Sequence, residues 1–227
     1  GEDPTVNRLQ EVAAALLGKE AALFFPSGTM ANQAAVLAHT ERGQEVLVEA
    51  EAHIYYYEVG GLAVLAGCQP RTFSAPDGVP DPEVVRAAIR PANIHFPQPA
   101  LLCLENTHNR HGGTVMDAAR TAALAAVARE YGLAVHLDGA RPFNAAVALG
   151  VEARELAAPV DSVMISLSKG LAAPAGSLLM GSRSFIERAR RYRKLLGGGM
   201  RQVGILAAAG LVALERMIER LAEDHEH

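Results

Sequence analysis

The chain has 227 residues, half of them hydrophobic, and a formal net charge of −4. That length can bury a sizeable core, no apolar run approaches the roughly 20 residues that cross a bilayer, and the charge offers nothing to a nucleic acid or other polyanion. The acidic opening Gly1-Glu2-Asp3-Pro4 is unlike a secretory signal, and Cys68 and Cys103 sit far apart in apolar surroundings as reduced thiols do, so a cytoplasmic protein is expected.

Apolar periodicity predicts a helix near 5–17, a short strand at 21–25, a helix at 29–40, a strand at 46–49 and a helix at 54–60. A strand at 71–74, a helix at 81–90, a strand at 100–105 and a helix at 117–131 follow. Then come a strand at 134–138, a short helix near 142–148, strands at 161–166 and 176–180, and helices at 183–195 and 201–223. Asp81-Pro82-Glu83 supplies a cap, a proline at the first helical position and an acidic first turn, while Gly18, Gly132 and Gly150 stand where helices close. Such alternation argues for a largely parallel α/β sheet with helices on both faces, and no linker or repeat divides it. In such sheets ligands bind beyond the carboxyl ends of the strands.

Three clusters stand at those positions. Ser27-Gly28-Thr29-Met30-Ala31-Asn32 follows an apolar run and opens a helix, where backbone N–H groups favour an anion such as phosphate; alone it also suits an ordinary capped helix. Asp138, in Asp138-Gly139-Ala140-Arg141, ends an apolar strand, and a carboxylate there needs an answering cation unless it simply caps the next helix. Lys169, in Ser166-Leu167-Ser168-Lys169-Gly170, stands among small and apolar residues whose burial lowers an amine's pKa and frees it for a Schiff base; a surface lysine is the plainer alternative. A phosphate cradle, a carboxylate and then a lysine are the attachments that pyridoxal phosphate (PLP) requires at its phosphate, ring nitrogen and aldehyde.

These runs, with His53-Ile54-Tyr55-Tyr56-Tyr57-Glu58, Leu104-Glu105-Asn106-Thr107-His108-Asn109 and Gly197-Gly198-Gly199-Met200-Arg201-Gln202, closely resemble the low-specificity L-threonine aldolases, PLP enzymes of fold type I, over nearly the whole chain. The resemblance implies a three-layer α/β/α sandwich with a mostly parallel sheet, residues 1–227 being the PLP-binding large domain, without counterparts of the family's N-terminal segment and small C-terminal domain. It implies that Lys169 carries the cofactor, that Asp138 pairs with the pyridine nitrogen, that Ser27, Gly28 and Thr29 hold the phosphate and that His53 stacks on the ring. Arg141 would meet the substrate carboxylate, His108 would face the substrate hydroxyl as base or through a water, with Tyr57 close by, and Arg201 would approach a neighbouring subunit's phosphate. The activity implied is cleavage of a β-hydroxy-α-amino acid to glycine and an aldehyde by a homodimer or homotetramer with shared active sites. The alternatives are another PLP-dependent β-eliminating lyase or racemase, and a catalytically silent PLP-binding fragment. The basic run Arg188 to Lys194 reads as a solvated or subunit-facing helix surface. Glu105, His108 and His111 match no zinc pattern, and no catalytic metal is expected.

Overall fold

In the computed structural model, which describes residues 3–226, the first helix, α1 (Pro4–Leu16), begins where the Asp3 carboxylate accepts from the N–H groups of Thr5 and Val6, with proline in the first turn. The chain continues through β1 (Ala21–Phe25), α2 (Gly28–His39), β2 (Glu45–Glu49), α3 (His53–Tyr56), α4 (Gly61–Val64), β3 (Gln69–Phe73), α5 (Pro82–Ala88) and β4 (Pro99–Glu105). Its second half runs α6 (Ala118–Glu130), β5 (Ala134–Asp138), α7 (Pro142–Leu149), α8 (Ala153–Ala157), β6 (Ser162–Ser166) and β7 (Ser177–Gly181), then α9 (Arg183–Leu195), α10 (Gly204–Arg216) and α11 (Leu221–His225).

The strands form one seven-stranded sheet in the order β1-β7-β6-β5-β4-β2-β3. All neighbours are parallel except at β7, which runs against both β1 and β6. Strands β2, β6 and β7 are buried at every position, as strands of a sheet covered on both faces must be. One face carries the apolar sides of α1, α5, α6, α7 and α10, and the other carries α2 and α9, giving the expected three layers. No helix among the described residues is long and apolar enough to cross a membrane.

Two expected helices are broken. The one at 54–60 stops at Tyr56, as α3, because Val59 and Gly60 both take the left-handed conformation, at φ 54° and 67°, and the separate α4 starts only at Gly61. The one at 201–223 starts at Gly204 and is interrupted between Arg216 and Leu221, and α8, which has no strong apolar period over its five residues, was not expected. Asp81 caps α5 as read, and Gly18, Gly132 and Gly150 all have the positive φ of helix-closing residues.

The parallel register puts the strand ends that matter side by side: Glu105 pairs with Asp138, and Asp138 with Met164. Beyond β5 the chain passes so close to β6 that a Cβ at Gly139 would lie 2.9 Å from the Met164 carbonyl, so only glycine lets Asp138 and Arg141 flank this turn.

Candidate active site

A cleft of about 290 Å³ opens at these strand ends, lined by Ser27, Gly28 and Thr29 from the start of α2, Asn32 one turn further on, His53 from α3, Asp138 from β5, and Ser166, Ser168, Lys169 and Gly176 around β6 and β7. Ser27 caps α2 by accepting from the Met30 N–H, so the free N–H groups of the first turn lie beside the cleft, where the helix dipole favours an anion. Lys169 is more open than its apolar neighbours led one to expect. Desolvation nevertheless holds its amine below the ordinary lysine pKa, with the Asp138 carboxylate pulling the other way and Arg141 reinforcing the drop.

Asp138 is 2% exposed. Its Oδ2 accepts from Asn32 Nδ2 at 2.8 Å, while Oδ1 is buried with no hydrogen-bond partner among the described residues. A buried carboxylate oxygen left in this state calls for a cationic donor, and the protonated pyridine nitrogen of PLP is such a donor. Together with an anion-favouring helix start and an amine in the same cleft, the residues fit that cofactor.

Behind the cleft lies a network that sequence reading left without a role. Asn32, fully buried, donates to both Asp138 and Glu58, the latter at 2.9 Å, so its amide nitrogen must face the two carboxylates and its oxygen must accept. His136 Nε2 lies 3.1 Å from that oxygen and therefore donates to it, leaving Nδ1 to accept from Ser162 Oγ at 2.9 Å. Ser162 in turn accepts from His39 Nε2 at 2.8 Å. The donors thus run in one sense, from His39 to Asp138. Burial keeps both imidazoles neutral, with pKa values lowered to about 4 at His39 and about 3 at His136.

His53 is clamped at two points: its N–H donates to Glu105 Oε2 at 2.6 Å and its Nδ1 lies 3.2 Å from Glu58 Oε1. The hydrogen bond to Glu58 raises the His53 pKa, against its own partial burial. Glu58, 3% exposed, is pushed up by desolvation, and Glu105 is pushed up to about 7 by burial and by the nearby Asp138.

Four expected residues do not line this cleft. His108 was expected to face the substrate, but it is 1% exposed and its Nε2 lies 3.2 Å from Glu49 Oε2, because the loop after β4 folds back and pairs His108 with Thr114. Tyr57 is exposed, its hydroxyl accepting from Arg110 at 2.9 Å, and it touches the site only through the His53 ring. Arg141 stands at the turn after Asp138 with its guanidinium 3.3 Å from Asn109 Oδ1, beside the cleft rather than in it. Arg201 is exposed and outside the cleft of its own chain. In the basic run, Arg193 departs from a solvated surface: it is half-buried and donates to the Phe24 carbonyl at 2.7 Å.

Fold and cleft together define an α/β enzyme whose site is built from helix start, strand-end carboxylate and lysine. The chain belongs to the beta-eliminating lyase family, whose model it matches over residues 1–227. It is similar to the low specificity L-threonine aldolase of Escherichia coli (strain K12), with 52% identity across all of this chain and 68% of that protein. It is also similar to the low-specificity L-threonine aldolase 1 of Arabidopsis thaliana, 47% identical across all of this chain and 64% of that one. Among solved structures, the threonine aldolase of Leishmania major shares the fold at a TM-score of 0.90 and 22% identity, over 99% of this chain and 67% of that one. A putative L-allo-threonine aldolase of Listeria monocytogenes does so at 0.85 and 24%, over 98% and 61%. The chain thus spans roughly two thirds of the length of these relatives.

Proposed function

We propose that this chain is the cofactor-binding core of a PLP-dependent lyase that cleaves a β-hydroxy-α-amino acid, such as threonine, into glycine and an aldehyde. The observation that carries the reading is the buried, unpartnered Oδ1 of Asp138 in one cleft with the Lys169 amine. PLP, when bound, supplies the electron sink into which the Cα–Cβ bond pair passes. Every other part of the work falls to the chain. The N–H groups at the start of α2, with Ser27 and Thr29, hold the phosphate; Asp138, oriented by Asn32, keeps a proton on the pyridine nitrogen; Lys169, whose amine desolvation holds below the ordinary lysine pKa, is the point of covalent attachment.

His53 is the only imidazole lining the cleft among the described residues, and it takes both the stacking role and the proton transfer at the substrate hydroxyl that His108 was expected to perform. Glu58 holds its Nδ1, leaving Nε2 for the cleft, where a positioned imidazole can take and return the proton. Arg141 meets the substrate carboxylate by swinging from Asn109. Arg201, exposed in its own chain, serves a neighbouring subunit's phosphate in a homodimer or homotetramer, and the two free buried cysteines suit the reducing cytoplasm.

The decisive measurement is incubation of the purified, PLP-loaded protein with threonine. Glycine and acetaldehyde in equal amounts are expected, with cofactor that borohydride fixes to Lys169 and that Lys169→Ala no longer retains. Racemised threonine, or ammonia and an oxo acid in place of glycine, would replace this reading with that of another PLP enzyme. Loaded cofactor with no product at all would leave a binding module.

A further inference from the structure

A second cluster of ligand-type side chains lies outside the cleft. Glu49 ends β2 and is 5% exposed. The loop after β4 turns back through the hydrogen bonds of His108 N to Thr114 O and Gly113 N to His108 O, and so brings the His111 ring edge-on to that of His108, with centroids 4.6 Å apart. One ligand atom from each of Glu49, His108 and His111 lies within 4.8 Å of the other two. Within this cluster His108 Nδ1 and His111 Nε2 are buried without a hydrogen-bond partner among the described residues, although Glu51 Oε2 stands 3.1 Å from the latter, off the line of a hydrogen bond. From the β3–α5 loop Gly78 packs against the His108 ring so tightly that a Cβ there would stand 2.5 Å from it, so no side chain answers from that position.

We propose that Glu49, His108 and His111 bind a divalent cation of borderline softness such as Zn²⁺, with Glu51 in reach as a fourth ligand. Two imidazoles and a carboxylate are a donor set for zinc, cobalt or nickel rather than for calcium or magnesium, which require mostly oxygen. Metal–ligand bonds of about 2.0–2.1 Å put tetrahedral ligands roughly 3.3 Å apart, so the side chains need draw in by only an ångström or so. Bound metal would give a partner to a nitrogen that burial otherwise strands. It would also tie the end of β2 to the loop after β4. Glu105 lies 3.8 Å from His108 Nε2 and accepts the His53 N–H, so the tie would steady the wall of the cleft without entering it. This departs from the expectation of no metal, which rested on catalytic zinc patterns contiguous in sequence; here Glu49 comes from another strand.

The test is a titration of the chelator-treated, dialysed holoenzyme with Co²⁺, read by the visible d–d absorption of tetrahedral cobalt, and with Zn²⁺ by calorimetry. Saturable binding at a single site per chain is expected, with Zn²⁺ displacing Co²⁺, and with affinity weakened by at least roughly tenfold in Glu49→Gln and in His111→Ala. His111 is partly exposed on a loop, so its variant should keep the native circular dichroism and still report if Glu49→Gln folds poorly. Absence of saturable binding would overturn the proposal. So would binding undiminished in His111→Ala, which would place the ion at the cofactor or at His225.

Discussion

Asn32 is the residue on which the site turns. Its one amide serves Asp138, Glu58 and His136 at once, so its replacement strands the buried Asp138 carboxylate and an imidazole donor and takes one of its donors from Glu58. Asn32→Ala is therefore expected to lower stability by about 2–4 kcal/mol, the range for a buried polar network that loses a shared partner. Because Asp138 also loses its orientation, PLP affinity should fall as well, which spectrophotometric titration of the variant would show. Unchanged affinity alongside lost stability would mean that Asp138 is positioned by its strand alone. The chain carries two legible signals for this hub. Asn32 interrupts the buried face Ala31, Ala34, Ala35, and strand alternation puts His136 on the same face of β5 as Asp138. Sequence reading passed over both because it looked for groups that touch a cofactor, and these act one contact behind it.

At the scale of elements, the same local device serves two ends. Ser27 caps α2 and Asp117 caps α6, each side chain accepting an N–H three residues on, but only α2 points its first turn into the cleft. Ser27→Ala and Asp117→Ala should each cost about 1 kcal/mol of stability in denaturant unfolding. PLP affinity should drop in the first alone; an equal drop in both would show that cofactor binding merely follows overall stability. Helix α5 was readable from its cap and first-turn proline, and α1 and α6 from their length and the glycines that close them, Gly18 and Gly132. The segment 53–65 was not, since its break depends on Val59 in a left-handed conformation that nothing in a valine announces. Lys169 and Asp138 could be placed because strand ends are local. The back-folded loop that carries His108 away from the cleft is closed by Thr114 and Glu49, and the second of these is 59 residues distant.

For the whole molecule, the hydrogen-bonded line from His39 to Asp138 joins groups 26 to 123 residues apart, so it exists only once α2, β5 and β6 are assembled; His136, whose Nδ1 accepts, must be neutral in it, and burial keeps His39 neutral as well. The burial of His39 makes stability depend on pH with a definite sign. His39 titrates near 6.5 when unfolded and at about 4 in the fold. Above pH 6.5 neither state binds the proton and the His39 contribution is complete. Between 6.5 and about 4 the unfolded chain takes up a proton that the folded one refuses, so stability falls as pH falls, by about 1.4 kcal/mol per pH unit. Glu105, pushed up to about 7, has the opposite effect over part of the same window, since there the folded state holds the extra proton. The wild-type curve therefore mixes these with His136, lowered to about 3 by the same burial, and a difference between variants isolates His39. His39→Gln keeps a donor for Ser162 but cannot titrate, so the stability of wild type minus that of His39→Gln should be constant above pH 7. Below 6.5 it should decline towards acid with that slope. Urea midpoints of both proteins measured from pH 8 down to pH 4 would show it; a difference that stays flat across the range would mean that His39 is free to take its proton in the folded state.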